Sequence, residues 1–583
     1  MLRRDGVVIG AALLVLIALG GALAMPGATP GGSVPPPSSP APMGPRLVRE
    51  GIVGSIDTLD PLFARNRAEL DLDALIFSGL TRLGADGRVV GDLAERWTVS
   101  GKGLVYTFTI RRNAMWHDGV PVTADDVVFT ILTIQHPDYT GPLAGTWRGV
   151  TAQRLDARTV RFRLVTAAAN FLVATTQPIL PSHLLVGQPI SRLATSSFGR
   201  DPIGSGPFRL SELDGAHALL ERAVPAVATP ARTTPARTTP APSPVVLPDL
   251  PLGWRLSSPA AATSVDEFDV TFFADAAGLA AAFRSGAIDA AGGLDPATAT
   301  ALARQPGVTM LQYPRTVLTS VMLNVRFGQN LFRDARVRRA LLLAIDRDKL
   351  VRDVLKGAAV RADTLIPPSS WAFDAKAAGH VPRDPAAAVK ALKAAGWRRQ
   401  SDGWIRPGAD KPVTIELLSV DAATNPVDSI VAARIAADWT RIGLHVKVTR
   451  LPINQMVGVK LVPGRYDAAV VDVNLGLDPD LYPLLASGQS VAGGGNVSGY
   501  QSATLDPLLE AARIYASTTT RLKRFSALQA QLGKELPILP LFYADYLYVV
   551  RDTIQGPSPT ELSTAADRFW DVLTWRVAEP VGR

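Results

Sequence analysis

The chain has 583 residues, 47% of them hydrophobic, and a formal charge of +8, long enough to bury a large core in more than one lobe. It contains no cysteine, which excludes disulfides, thiolate metal sites, cysteine nucleophiles and a lipid-modified cysteine. Its basic residues are spread along the whole length, without a run of like charge or interleaved aromatics. They read as a solvated Arg-rich surface and not as a nucleic-acid interface.

At the N-terminus Arg3 and Arg4 precede an apolar run from Val7 to Leu23, and Ala22-Leu23-Ala24 forms an A-x-A cleavage pattern before Met25. The run is about the shortest that could span a bilayer. Within residues 1–25 a cleaved signal peptide and a retained anchor therefore both fit, and either implies export. Residues 26–45 are crowded with Pro and Gly, as in an extended spacer. A spacer makes most sense if something holds its N-terminal end, which favours an anchor or a surface tether.

The folded body is expected from Arg46. Leu104, Tyr106, Phe108 and Ile110 alternate as in a half-buried strand. Arg111, Arg112 and Asn113 end the alternation, and His117-Asp118-Gly119 makes a turn. A helix should start at Thr123, with Asp126 reaching back in a capping box. The stretch Val224–Pro248 writes PARTT twice, and proline at this density blocks helix and central strand. It reads as a flexible surface insertion.

Beyond residue 314 the pattern alternates between helix and strand. Asp334 caps a helix through Ala335, Val337, Leu341 and Ile345, and Asp346 caps a second that ends at Gly357. Asp384-Pro385 opens a short helix that Gly396 closes. A strand at Val413–Leu418 precedes a helix carrying Ile430, Ile435, Trp439 and Ile442, stopped by Gly443. Leu444–Thr449 is the next strand. These units predict a sheet covered by helices, an α/β lobe.

No catalytic constellation emerges. The histidines His117, His136, His183, His217, His380 and His445 are scattered without metal-ligand spacing. His117 reads best as a turn residue bonded to backbone. Gly204-Ser205-Gly206 lacks the first glycine of a nucleophile elbow, and Ser100-Gly101-Lys102 lacks that of a phosphate loop. Asp118, Asp125 and Asp126 are accounted for by turn formation and helix N-terminal charge. The chain should bind without turnover, and no cofactor is expected.

The order of strand, basic edge, W-H-D-G turn and T-A-D-D-V-V-F helix between Leu104 and Ile131 resembles the signature of family 5 extracellular solute-binding proteins. These are the oligopeptide, dipeptide and nickel-chelate receptors of ABC importers. The likeness continues through Pro202–Leu210 (PIGSGPFRL), Phe332–Gly357, RIGLHVKV, RYDAAVVDV, NVSGYQSATLDPLLEAA and ELPILPLFY, so that it covers about residues 46–578. It implies a two-lobed type II periplasmic binding protein fold, α/β, with an extra subdomain in lobe one. Lobe one would span 46–312 (subdomain about 82–200, insertion 224–248), lobe two 313–540, and 541–583 would return to lobe one. The ligand would sit between hinged lobes. The expected partners are a small solute, most readily a short peptide, and the permease subunits of an importer. The protein would act as an exported monomer in the periplasm or on the outer face of the membrane. A tethered sensor or chaperone-like protein would use the same fold.

The resemblance also implies site residues. Peptide receptors of this family hold the ligand's α-ammonium with an acid shortly before a D-P pair. In Val471–Pro479 (VDVNLGLDP) that spacing falls on Leu475 or Gly476, and the nearest upstream acid is Asp472. Either Asp472 takes the role or the ligand presents no free amine there, because a buried cation needs a paired charge. Asn474 could supply a polar contact in both cases. Trp371, Tyr313 and Tyr500 are expected as aromatic walls. Asp60, in Ser55–Phe63 (SIDTLDPLF), is expected to shape a turn near the cleft mouth.

Overall fold

The computed structural model describes residues 45–84, 87–223, 265–326, 328, 331–422, 425–491 and 494–578. The N-terminal signal or anchor, the spacer to residue 44 and the insertion at 224–248 lie outside the described residues. Among those described, no helix is long and apolar enough to cross a membrane.

Two large sheets organise the body. The first has seven strands in the order Val308–Tyr313, Tyr546–Arg551, Ala290–Gly292, Leu47–Val53, Glu267–Phe273, His217–Arg222 and Phe208–Leu213. The second has six, in the order Ala359–Arg361, Ile538–Ala544, Val317–Leu323, Ala468–Asn474, Thr414–Val420 and His445–Leu451. The chain passes between them twice, through Pro314–Thr316 and through Asp545 alone. A separate antiparallel sheet of four strands, covering Ala94–Ser100, Val105–Ile110, Thr159–Leu164 and Val150–Asp156, joins the hydrophobic core of the first.

The strand Val105–Ile110 buries Tyr106, Phe108 and Ile110 completely, while Leu104 lies just outside it and is exposed. The helix Ala124–Gln135 starts with the expected box: Asp126 accepts the Thr123 N–H at 2.7 Å. Its other carboxylate oxygen accepts from the Ser182 N–H and hydroxyl at 2.8 and 2.6 Å, which uses up its bonding capacity. His117 is bonded to backbone. Its N–H donates to Gly204 O at 2.9 Å, and its Nδ1 accepts the Gly204 N–H at 3.3 Å. Glycine is required at 204 and 206, because a Cβ would stand 1.9 Å from Ile76 O and 2.6 Å from Leu75 O.

In the second half the caps fall where the spacing predicts. Asp334, Asp346 and Asp384 each accept a backbone N–H at their helix starts. The helix Pro426–Arg441 buries Val431, Ala432, Ile435 and Trp439, but Ile430 is exposed, so its apolar stripe is rotated by one residue from the expected one. Arg338 reaches across to donate to Glu535 O and Leu536 O, where the helix Thr518–Glu535 ends on left-handed Leu536. The free carbonyls of that helix end are satisfied by a buried cation.

The C-terminal return is locked into the first half by charge. Arg568 is fully buried, 2.6 Å from Glu50 and 2.8 Å from Asp71, and lies over the Phe569 ring at 4.0 Å. Tyr548 donates to the other Glu50 oxygen at 2.6 Å. Removing the cation would leave the buried Glu50 carboxylate with Tyr548 alone and Asp71 with Arg67 alone. We predict that Arg568→Met destabilises the protein by about 3–5 kcal/mol in urea unfolding, and that adding Glu50→Gln and Asp71→Asn recovers part of the loss. A Met variant as stable as the parent would contradict this role.

Asp60 gives a pH signature. It is fully buried, with one oxygen accepting the Leu62 N–H at 3.0 Å and the other without a partner among the described residues. Burial pushes its pKa up to about 7. A raised carboxyl pKa stabilises the fold at low pH, and that stability is lost as pH rises from about 4 to about 7, at about 1.4 kcal/mol per unit. Asp60→Asn should match the parent at pH 4 and exceed its stability at pH 7.5. A constant difference across that range would show that Asp60 does not titrate there.

Candidate functional site

Between the two sheets lies a cleft of about 2910 Å³. One side is built from the first half: the end of helix Arg67–Ile76, Arg82 and Asp92, Arg111 just past strand Val105–Ile110, and Ser563 to Thr574. The other is the turn after strand Ala468–Asn474, running from Asn474 through Asp478 and Asp480 to Tyr482, with Gln489 and Arg513. Contacts close it at two places. Near the crossings Asn474 Nδ2 donates to Ser563 O at 2.9 Å. Further out, the Ala169 N–H donates to Arg513 O at 2.9 Å and Tyr106 meets Tyr515 edge-on.

The turn owes its shape to two ion pairs. Arg521 makes a two-pronged pair with Asp478 at 2.7 and 2.6 Å and lies 4.6 Å over the Trp371 ring, itself edge-on to Phe525. Arg513 pairs with Asp480 at 3.1 Å and covers Tyr482 at 4.4 Å. Both acids around the D-P pair are thus already committed to protein cations. Trp371 joins the site only indirectly, by supporting the arginine that holds Asp478.

Asp472 and Asn474 stand on one face of their strand, opposite Thr319 and Val317 in the antiparallel register. Asn474 lines the cleft, and its Oδ1 accepts the Thr316 hydroxyl at 2.7 Å. Asp472 is not itself among the residues lining the cleft; it accepts the Thr319 hydroxyl at 2.6 Å. Its side chain reaches solvent although protein atoms crowd round it, and that enclosure raises its pKa above the ordinary carboxylate value. Asp428, in the first turn of helix Pro426–Arg441, is buried nearby and is likewise raised, by burial first and by Asp472 second. Arg315, on the first crossing, is the cation that acts on Asp472.

The remaining expected residues lie elsewhere. Tyr313 is fully buried against Tyr546 in the core of the first half and presents no surface to the cleft, so the expected aromatic wall is absent there. Tyr500 donates to the Glu535 carboxylate beneath the Arg338 guanidinium and does not line the cleft. Asp60 lies below the floor, where its neighbour Pro61 is the lining residue. Arg315 and Asp428 were not singled out by the sequence. The only signal for Asp428 is its place two residues after Asn425-Pro426, a helix start. Among the described residues no group of three or more His, Cys, Asp or Glu side chains could hold a metal ion.

Comparison with known proteins agrees with this geometry. The model of bacterial extracellular solute-binding proteins, family 5, matches residues 88–494. The oligopeptide-binding protein AppA of Bacillus subtilis is 26% identical over 515 residues, 87% of this chain and 88% of its own. The di/tripeptide-binding protein 1 of Pseudomonas aeruginosa is 25% identical, covering 86% of this chain and 89% of its own. The structure of NikZ from Campylobacter jejuni in complex with Ni(L-His) superposes with a TM-score of 0.70 at 22% identity, covering 91% of this chain and all of that one. The chain belongs to family 5 of the bacterial extracellular solute-binding proteins, and is thus a non-enzymatic receptor of the ABC-importer type.

Proposed function

We propose that this receptor captures short peptides in the cleft between its two sheets and hands them to a membrane permease. The observation that carries the reading is Asp472, a carboxylate open to solvent on the strand face that carries the cleft-lining Asn474, yet enclosed enough to make its charge costly. An ammonium group would relieve that cost. By the resemblance, Leu475 or Gly476 occupies the position where peptide receptors of the family carry their acid, and Asp472 supplies an acid three or four residues earlier on the same segment. The two peptide-binding relatives support the ligand class. Capture would proceed by rotation about the paired crossings at Pro314–Thr316 and Asp545, with the ligand favouring the closed form.

Two measurements test this. Asp472→Asn should weaken binding of a free-amine peptide by more than tenfold in calorimetry, as loss of a charge-assisted partner does; unchanged affinity removes Asp472 from the site. The second concerns protons. Asp472 and Asp428 carry raised pKa values, so the empty site holds protons more tightly than ordinary carboxyls do. A bound ammonium favours their ionised forms, so affinity should fall as pH is lowered from neutral, and binding should release protons. Titrations near pH 7 in buffers of different ionisation enthalpy read that release directly, and its absence would separate the ligand from these carboxyls.

A further inference from the structure

Where the chain turns between strands Ala94–Ser100 and Val105–Ile110, three successive residues are left-handed. Gly101, Lys102 and Gly103 have φ of 59°, 56° and 88°, a backbone that glycine adopts freely and lysine only with strain. The turn brings Gly103 against the other half of the protein. Tyr515 lies in the loop between helices Asp506–Arg513 and Thr518–Glu535. It packs so closely on Gly103 that a Cβ on the glycine would stand 2.4 Å from the tyrosine Cβ. The Tyr515 ring also meets Tyr106 edge-on, with centroids 6.4 Å apart, and Tyr106 packs on Phe171 at 4.7 Å. Beside them the Ala169 N–H donates to Arg513 O at 2.9 Å.

The two sides of this contact belong to different cores. Tyr106 and Phe171 are buried in that of the first half, and Leu509, Ala512 and Phe525, which flank the Tyr515 loop, in that of the second. Rotation about the crossings at Pro314–Thr316 and Asp545 would therefore part them. Gly103, Tyr106, Ala169 and Tyr515 are not among the residues lining the cleft, so a ligand held there does not touch them. The contact is nevertheless tied to the cleft wall through Arg513. Its carbonyl accepts the Ala169 N–H from across the gap, while its guanidinium pairs with Asp480 and covers Tyr482, both lining residues. The loop is braced from behind, where Arg524 donates to Ala511 O at 3.1 Å and to Ile514 O at 3.0 Å.

We propose that the Gly103–Tyr515 contact is a latch that sets the affinity of this receptor without touching its ligand. The contact forms as the halves close and stabilises the closed form by the same factor whichever solute is inside. It acts mainly by slowing reopening, and so release. Selectivity stays with the residues of the cleft, and overall tightness is set at the latch. The inference rests on closure about the crossings and is independent of the class of ligand.

The chain has no cysteine, so Gly103→Cys combined with Tyr515→Cys creates a single possible disulfide, at positions close enough to form one after a slight separation. Oxidation of the ligand-free double variant should link the pair and lower the radius of gyration in small-angle scattering, and reduction should restore it. No crosslink would overturn the proposal. A crosslink with an unchanged radius would overturn it as well, because the contact would then be permanent. Affinity gives a second reading. Tyr515→Ala should weaken the binding of two tripeptides of different sequence by one common factor, about two- to tenfold as for loss of an aromatic pair, chiefly through faster dissociation. Gly103→Ala should weaken binding in the parent and have no further effect in Tyr515→Ala. A loss confined to one tripeptide would make Tyr515 a ligand contact, and additive losses would show that the two residues act separately; either result overturns the latch. If the parent binds neither tripeptide, the peptide reading falls and the crosslink alone decides.

Discussion

Two short crossings constrain the molecule. Three residues separate strand Val308–Tyr313 of the first sheet from strand Val317–Leu323 of the second, and Asp545 alone separates Ile538–Ala544 from Tyr546–Arg551. Strands anchored in two sheets cannot slide apart across links of that length, but backbone torsions at the links permit rotation of one sheet against the other. A third segment comes back to the same place, where Leu562 bonds to both Pro314 and Thr316. The segment then enters the first half, where Arg568 is bound by Glu50 and Asp71. These pieces are where one sheet could turn against the other.

The electrostatics of the cleft divide into committed and uncommitted charges. Asp478 and Asp480 are neutralised by Arg521 and Arg513, whose guanidinium groups also stack on Trp371 and Tyr482. These pairs stiffen the turn that forms one wall and offer little to a ligand. Asp472 is different, because it makes no ion pair among the described residues although protein atoms crowd round it. Enclosed charges of that kind are costly in the empty protein and become favourable when a complementary ligand arrives. If Asp472 meets an ammonium group as proposed, binding energy would be concentrated there, while the rest of the wall is preorganised.

Local features of the fold were legible in the sequence because nearby residues determine them. The Thr123–Asp126 box, the caps at Asp334 and Asp384, and the backbone-bonded turn at His117 depend on neighbours a few residues away or on a glycine that nothing else can replace. Features set by distant pairing were harder to read. Tyr313 looked like a cleft aromatic, but the sheet places it opposite Tyr546, far along the chain, and buries both rings. Tyr500 was taken up by Glu535 and Arg338 in the same way. Ile430 was assigned to the buried stripe of its helix, yet Val431 and Ala432 occupy that face, because packing fixes the helix rotation and periodicity fixes it only to within a residue. Arg315 had no pattern to reveal it, because it lies in a three-residue link between strands.

The account depends on the two halves enclosing a solute and moving relative to one another as they do so. Small-angle scattering of the ligand-stripped protein, before and after saturation with a tripeptide mixture, tests this directly. We expect the radius of gyration to fall on addition of peptide, with the change reversed when the peptide is dialysed away. Superimposable profiles, with peptide binding demonstrated in the same sample, would contradict closure about the crossings.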